Sequence, residues 1–324
     1  MGTDTRKFNR QRNDLRRALR RPFESAAYLL LKWTVPFLPR RALMSFSQAA
    51  GKLALRMPVR ERKDAFINLN AVFGDSKTDE EKKEIFVTSI ATFVMTMLDV
   101  FWFSRNSEER ITTFVQFEDT PNAESFFENK AMICITAHMG SWEIIGQAAA
   151  LKGADLASIA APVKNRTVDR ILIELREKTG QTIIPRKGAL KLLIARLRKN
   201  GKTAFVLDQN TDPSEGGIWV DFLGLPMSVS PAPAGLAYRT GTPVYFGFCI
   251  PQPDGNYSIQ ITEMLEPPPY DKERDTDQVA KELTQVIENH ISDQIRKYPQ
   301  FWLWSYRHWR RHASGQFPAN YPAY

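Results

Sequence analysis

Apolar and polar positions fall into blocks along this chain, and the blocks alternate between strand-like and helix-like periods. Residues 131–137, AMICITA, form a short bounded apolar run of the kind a buried strand presents. Gly140 permits a tight turn, Ser141 is a suitable N-cap, and residues 142–152 read as a helix stopped by Gly153. Beyond this element the alternation continues: strand-like 157–161, helix-like 167–179, strand-like 182–184, helix-like 189–199, strand-like 203–208, a loop, helix-like 231–240, then strands over 244–250 and 257–263. Prolines at 267–269 break the pattern, and residues 275–297 read as a long amphipathic helix. Strands alternating with helices predict an α/β fold, a central and mostly parallel sheet flanked by helices.

Two apolar stretches lie upstream. Residues 85–103 are apolar over nineteen positions, enough to pass for a membrane span. Spacing argues otherwise: Thr88, Thr92, Thr96 and Asp99 recur at four, four and three residues and draw a polar stripe down one face, with Phe86, Phe93, Met97 and Phe101 elsewhere. A packed helix of the domain is predicted. Residues 26–38, AAYLLLKWTVPFL, give only about 20 Å of helix against a hydrocarbon core of about 30 Å. Lys32 and Pro36 interrupt the run, Arg40 and Arg41 close it, and no small-residue cleavage site follows cleanly. An interfacial helical segment is expected, not a span. The chain therefore divides into a basic tail with a membrane-associating helical segment over residues 1–58 and a single α/β domain over 59–324.

Composition sharpens this picture in two places. At 324 residues and 43% hydrophobic content the chain can bury a substantial core. The net charge is +8, but the first 22 residues hold eight basic side chains (Arg6, Lys7, Arg10, Arg12, Arg16, Arg17, Arg20, Arg21) against Asp4 and Asp14, a net +6. Most of the excess charge is thus a tail suited to anionic lipid headgroups, and the nearly neutral remainder argues against a nucleic-acid groove. Cys134 and Cys249 fall in apolar strand-like runs and are expected to be buried, unpaired thiols of a reducing compartment.

The chemistry concentrates where the 131–137 strand meets its helix. His138 and Glu143 flank the turn. On one regular helix they would point about 140° apart, so they can meet only if His138 sits on the strand exit. A carboxylate beside an imidazole fixes its tautomer and stabilises the imidazolium, which equips a histidine to take a proton from a hydroxyl near neutral pH. Ser141 is the local candidate for a covalent route, but an N-cap role would occupy its oxygen, and neither GxSxG nor a papain-like cysteine context is present. Direct transfer with His138 as general base and Glu143 as its partner is the expectation.

Further polar positions stand where α/β sites assemble, at the ends of predicted strands. Lys164 and Asn165 follow one strand, and Arg186 and Lys187 precede a helix start, a cationic corner suited to a phosphate. Asp208 ends another strand and Asn210 follows it; either is expected to orient an acceptor or to brace the loop. Arg239 lies near a helix end and is expected either to contact substrate or to pair with Asp208. No second carboxylate or histidine stands at ligand spacing, so no metal is expected.

HMGSWE at 138–143 resembles the H-x4-D/E motif of glycerolipid-type acyltransferases, in the HxGxWE form of the bacterial lipid A biosynthesis late acyltransferases. Spaced companions support the resemblance: APVKNRTVDR at 161–170 is similar to RPxxNPxxD, IPRKG at 184–188 to PRKG, and Asp208-Gln209-Asn210 with Gly217, Phe222-Leu223-Gly224, Pro226 and Leu236 to Gly241 with Pro243 to the family's DQN, FFGxP and LAxRTGxP run. RERKDAFINLNAVFGD at 60–75, similar to an early RxNLxxxF stretch, and PQFWLWSYRHWRR at 299–311 extend it to both sides, the latter resembling QWLWxHRRW, with Tyr306 where the pattern has His and His308 where it has Arg. Ala161 stands where many members have Arg. The aromatic and basic alternation of that last segment suits a membrane interface or a capped core edge, and His308 is expected to be structural.

The resemblance implies transfer of an acyl chain from an acyl carrier protein or coenzyme A thioester, as co-substrate and with no cofactor, to a hydroxyl of a lipid A precursor. It implies His138 and Glu143 as catalytic residues, and Lys164, Asn165, Arg186, Lys187, Asp208, Asn210 and Arg239 as substrate-binding residues. It places the protein on the cytoplasmic face of the inner membrane, with acyl carrier protein, lipid A precursor or related glycolipid, and membrane surface as partners and no nucleic acid. The rival readings are an acyltransferase for another phosphoglycolipid or lysophospholipid, a thioesterase in which His138 activates water, and a non-catalytic membrane-binding protein.

Overall fold

The computed structural model describes residues 21–310 and 318–324, so most of the basic tail, Arg6 to Arg20, lies outside the described residues. In chain order the helices are α1 (residues 21–34), α2 (Arg40–Arg56), α3 (Arg60–Phe73), α4 (Asp79–Trp102), α5 (Ser107–Phe114), α6 (Pro121–Phe127), α7 (Trp142–Leu151), α8 (Arg166–Glu177), α9 (Ala189–Leu197), α10 (Ala232–Thr240) and α11 (Thr276–Lys297). The strands are β1 (Val115–Phe117), β2 (Met132–Thr136), β3 (Leu156–Ala160), β4 (Thr182–Pro185), β5 (Lys202–Val206), β6 (Ile218–Phe222), β7 (Leu225–Val229), β8 (Val244–Pro251) and β9 (Tyr257–Leu265).

The α/β expectation holds. Seven strands form one sheet in the order β1-β9-β8-β2-β5-β3-β4, and only the β8–β9 pairing is antiparallel. β2 lies between β8 and β5, where both faces are covered, and four of its five residues are buried. That is why its sequence is a continuous apolar run instead of an alternation. The region expected as a loop between 208 and 231 contains an antiparallel hairpin, β6–β7, which lies against α11. Its two-residue turn places Leu223 at φ 57 and Gly224 at φ 88.

α4 passes the length and composition test for a membrane span, yet it is built into the protein. Its start carries a capping box between Thr78 and Glu81. Thr92, Thr96 and Asp99, the stripe visible in the sequence, are buried. Three of the polar groups are tied to other elements: the Thr96 hydroxyl donates to Gly140 O at 2.9 Å, Ser89 donates to Trp302 O, and Asp99 accepts from Arg40 Nη1 at 2.7 Å and from the Tyr257 hydroxyl.

The expected boundary near residue 58 falls in the link between α2 and α3, and α2 packs along α4. A Cβ on Gly51 of α2 would meet Val87 O of α4 at 2.3 Å, so only glycine allows this approach. Arg40, at the start of α2, donates from Nε to Gly255 O at 2.7 Å and lies over the rings of Trp102, Phe103, Phe114 and Tyr257. α1 is tied to α8 by Lys32 on Glu174 at 2.7 Å and to α4 by Tyr28 edge-on to Phe101.

Candidate active site

β2 and β5 pair in parallel with Thr136 opposite Val206, and Leu207 N–H donates to Thr136 O at 2.9 Å. Two residues beyond each strand, His138 and Asp208 therefore leave the sheet side by side. The main-chain N–H of His138 donates to Asp208 Oδ2 at 2.9 Å, and its Nδ1 lies 2.6 Å from Oδ1. A contact that short to an acceptor-only group places the proton on Nδ1 and leaves the Nε2 lone pair free. The Gln209 carboxamide nitrogen is 3.4 Å from Nε2.

Burial divides the pair. The Asp208 side chain is 0% exposed and that of His138 22%, so solvent and substrate reach the imidazole and not the carboxylate. Burial by itself would push Asp208 up, but the charge and hydrogen bond of His138, the nearby His308 and the Trp302 N–H outweigh it and hold the carboxyl below its usual range. Burial likewise works to depress His138, and the Asp208 charge, its hydrogen bond and the charge of Glu143 overcome it, so the imidazole is raised.

The turn that follows is fixed by its neighbours. Gly140 adopts φ +57, and a Cβ there would lie 2.0 Å from Cys249 O, so glycine is required. Gly140 N–H donates to Phe301 O and Ser141 N–H to Cys249 O. Trp142, opening α7, sets its ring edge against the imidazole at 5.2 Å between centroids and stacks on Phe93 of α4. α4 thus backs the Trp142 ring that lies against the imidazole.

The structure corrects several expectations. The partner of His138 is Asp208, not Glu143. Glu143 faces away into α8, where Arg176 holds both its oxygens, Nε to Oε2 at 2.7 Å and Nη2 to Oε1 at 2.6 Å. Ser141 makes no cap hydrogen bond; its hydroxyl is buried without a partner among the described residues. Its exclusion as a nucleophile thus rests on burial. The Asn165 carboxamide caps α8, accepting from Thr167 N and Val168 N while donating to Arg21 O and Ser25 Oγ, so it joins α1 to α8 and has no donor left for a substrate. Asn210 braces the carboxyl-terminal segment, donating to the carbonyls of Arg307 and His308 at 2.7 and 2.6 Å. Arg239 is exposed at the end of α10, beside the entry to β8 and hence at the edge of the sheet opposite His138; it neither approaches the imidazole nor pairs with Asp208.

Lys164, Arg186 and Lys187 are exposed and follow β3 and β4, at the same edge of the sheet as His138. Lys164 lines an open cavity of about 630 Å³ with Arg21, Ser25 and Thr167, and Arg186 Nη2 stands 3.8 Å from Glu215 Oε2. Among the described residues no group of three or more His, Cys, Asp or Glu is placed to hold a metal ion. Both cysteines are free. Burial pushes the Cys134 thiol up to about 12 and also raises Cys249, so neither is a ready nucleophile.

A histidine–aspartate pair thus stands at the carboxyl edge of a mostly parallel α/β sheet with one ring nitrogen turned outward, an arrangement able to accept a proton. The chain belongs to the bacterial lipid A biosynthesis acyltransferase family, whose sequence model matches residues 10–311. It is similar to the phosphatidylinositol mannoside acyltransferase of Mycobacterium tuberculosis, 26% identical over 170 residues that cover 51% of this chain and 52% of the relative. The enzyme of the same name from Mycolicibacterium smegmatis is 24% identical over 169 residues, with the same coverage. The chain thus spans about half the length of these mycobacterial relatives. A lipid A biosynthesis acyltransferase of Haemophilus influenzae is 22% identical over 277 residues, 84% of this chain and 83% of the relative.

Proposed function

We propose that this protein transfers a fatty acyl chain from a carrier thioester, on acyl carrier protein or coenzyme A, to a hydroxyl of a lipid A precursor or a related membrane glycolipid. The observation that carries this reading is the 2.6 Å contact from His138 Nδ1 to buried Asp208, which leaves Nε2 as the proton acceptor at the exposed end of the pair. In the reaction, Nε2 takes the proton of the acceptor hydroxyl as its oxygen attacks the thioester carbonyl. The C–O bond forms, the C–S bond breaks, and the imidazolium returns the proton to the departing thiolate. Asp208 stabilises the imidazolium in between. Trp142 and Phe93 offer an apolar wall for the acyl chain, while Lys164, Arg186 and Lys187 supply cations at the same edge for a phosphate of donor or acceptor.

The setting we infer is the cytoplasmic face of the inner membrane. Phe23, Leu30, Trp33 and Phe37 are exposed along α1 and the turn after it, and Phe46 and Leu53 along α2 with Met57 just beyond its end. Exposed basic residues Arg41, Lys52 and Arg56 accompany them. Apolar side chains flanked by cations suit insertion among anionic headgroups.

The test is transfer of a labelled acyl chain, from its acyl carrier protein and coenzyme A thioesters in parallel, to detergent-dispersed lipid A precursor, phosphatidylinositol mannoside and lysophospholipid. His138→Ala should lose roughly two or more orders of magnitude in kcat. Transfer that survives this substitution would end the general-base reading, and thioester hydrolysis at the transfer rate without acceptor would make the protein a thioesterase. The mycobacterial relatives make phosphatidylinositol mannoside the natural second acceptor. Because the base must be neutral and its imidazole is raised, the acid limb of the rate profile should lie above the ordinary histidine range.

A further inference from the structure

We propose that the indole of Trp302 is a positioning group for the base: its N–H fixes Oδ2 of Asp208 so that Oδ1 stays on the His138 imidazole. The inference rests on the reading of His138 as general base, and it makes the segment 299–310 part of the catalytic apparatus instead of a membrane-facing edge.

The Asp208 carboxylate accepts three N–H groups. Oδ1 takes the imidazole, while Oδ2 is shared by the His138 main chain and by Trp302 Nε1 at 2.8 Å. A buried carboxylate can turn about its Cβ–Cγ bond unless both oxygens are held, and the indole supplies the side-chain donor on the far one. Trp302 is itself immobilised. Its main chain bridges Met139, its carbonyl accepts from Ser89 of α4, and its ring packs on Phe222, Trp304 and His308. Its neighbours grip the same turn from both sides, with Leu303 N–H on His138 O at 3.2 Å and Gly140 N–H on Phe301 O at 3.0 Å. His308, fully buried, sets one ring nitrogen 2.8 Å from Asp208 O and the other 3.0 Å from Leu303 O, so it ties the main chain of Asp208 to the same segment.

The segment contains its own control. Trp304 is as deeply buried as Trp302, but its indole donates to Pro299 O and touches neither Asp208 nor His138. A purely structural role for the aromatic cluster would make loss of either N–H equivalent. A positioning role separates them.

The other ionisable groups that act on the pair are Glu143 on α7, His308 in the same segment and Glu288 on α11, and all three remain in place in the variants. Removing the indole N–H leaves more negative charge on Asp208 facing the imidazolium, so His138 should hold its proton to higher pH.

The experiment compares the full-length wild type with Trp302→Phe, Trp304→Phe and a chain carrying β-(3-benzothienyl)alanine at 302, which keeps the bicyclic shape and lacks the N–H. In the transfer assay above, both changes at 302 should lower kcat roughly 10- to 100-fold with KM for the thioester unchanged, and should move the acid limb to higher pH. Trp304→Phe should lower the thermal midpoint and leave the acid limb where it is. A benzothienyl variant with wild-type kcat and acid limb would overturn the proposal, as would equal losses with unshifted profiles at 302 and 304. If His138→Ala retains activity, the base reading fails first; if it is inactive while the 302 variants are normal, only the positioning role fails.

Discussion

α4 and the α1–α2 pair break the usual distribution of polar and apolar residues in opposite senses. α4 buries Ser89, Thr92, Thr96 and Asp99, while α1, α2 and the turn between them expose Phe23, Leu30, Trp33, Phe37, Phe46 and Leu53. The difference lies in what each face meets. Inside, Thr96, Ser89 and Asp99 find partners in the His138 turn, in Trp302 and in Arg40, which offsets the cost of burying them. Outside, these large apolar side chains remain mostly exposed, from 57% at Leu53 to 78% at Phe23. On the proposed function, α4 supports the turn that carries His138, and α1 and α2 would meet the membrane.

The inner half of the comparison breaks hardest at Asp208. Asp208→Asn keeps the shape but replaces the acceptor for Nδ1–H with an amide that can impose the wrong tautomer, and the expected loss in kcat is roughly 10²- to 10⁴-fold. Circular dichroism should show the fold intact, and a variant with near-normal kcat would remove Asp208 from the mechanism. Next in size is the Arg40–Asp99 pair, both of whose side chains are almost wholly buried. Asp99→Ala strands the guanidinium and should cost about 3–5 kcal/mol of unfolding free energy in a denaturant titration. A loss below about 1 kcal/mol would mean that the ring cage, and not the ion pair, holds Arg40. Glu143→Gln comes third. It removes the charge that Arg176 grips with two hydrogen bonds and that helps raise His138, so it should shift the acid limb of the rate profile downward while leaving more activity than Asp208→Asn. An unmoved limb would confine Glu143 to a structural role.

These contrasts also mark what the sequence carries. From residue 131 onward the main strands and helices are readable from period and punctuation, because the strands are bounded apolar runs or, in β9, an alternation, and Gly140, Gly153 and Gly241 mark turns or helix ends. The β6–β7 hairpin is not, since its turn puts Leu223 at a positive φ where Asn or Gly is the normal signal. β1 is three residues long and has no readable period. His138 was legible from its place at a strand exit. Its partner was not, because Asp208 lies 70 residues away and becomes a neighbour only through the insertion of β5 beside β2. Glu143, five residues from His138, was the pairing that chain proximity suggested. Asn165 read as a polar group waiting for a ligand and Asn210 as either that or a loop brace; carboxamides at such ends also satisfy stray backbone groups, and that is what both do.

The outer half of the comparison yields the smallest and most separable effect. Trp33 is 70% exposed on α1, so its ring contributes little to the folded domain. Trp33→Ser should therefore leave the thermal midpoint essentially unchanged. Moving a large aromatic side chain from water into the headgroup boundary is worth about 1.5–3 kcal/mol, so the same substitution should weaken co-sedimentation with anionic phospholipid vesicles by roughly tenfold or more. Raising the salt concentration should weaken the wild type as well, because the basic residues near the patch act through screened charge. The two perturbations act on different contacts, apolar burial and charge, and should add. If Trp33→Ser bound vesicles like the wild type at every salt concentration, the exposed face of α1 would not be the docking surface, and attachment would have to come from the basic residues alone.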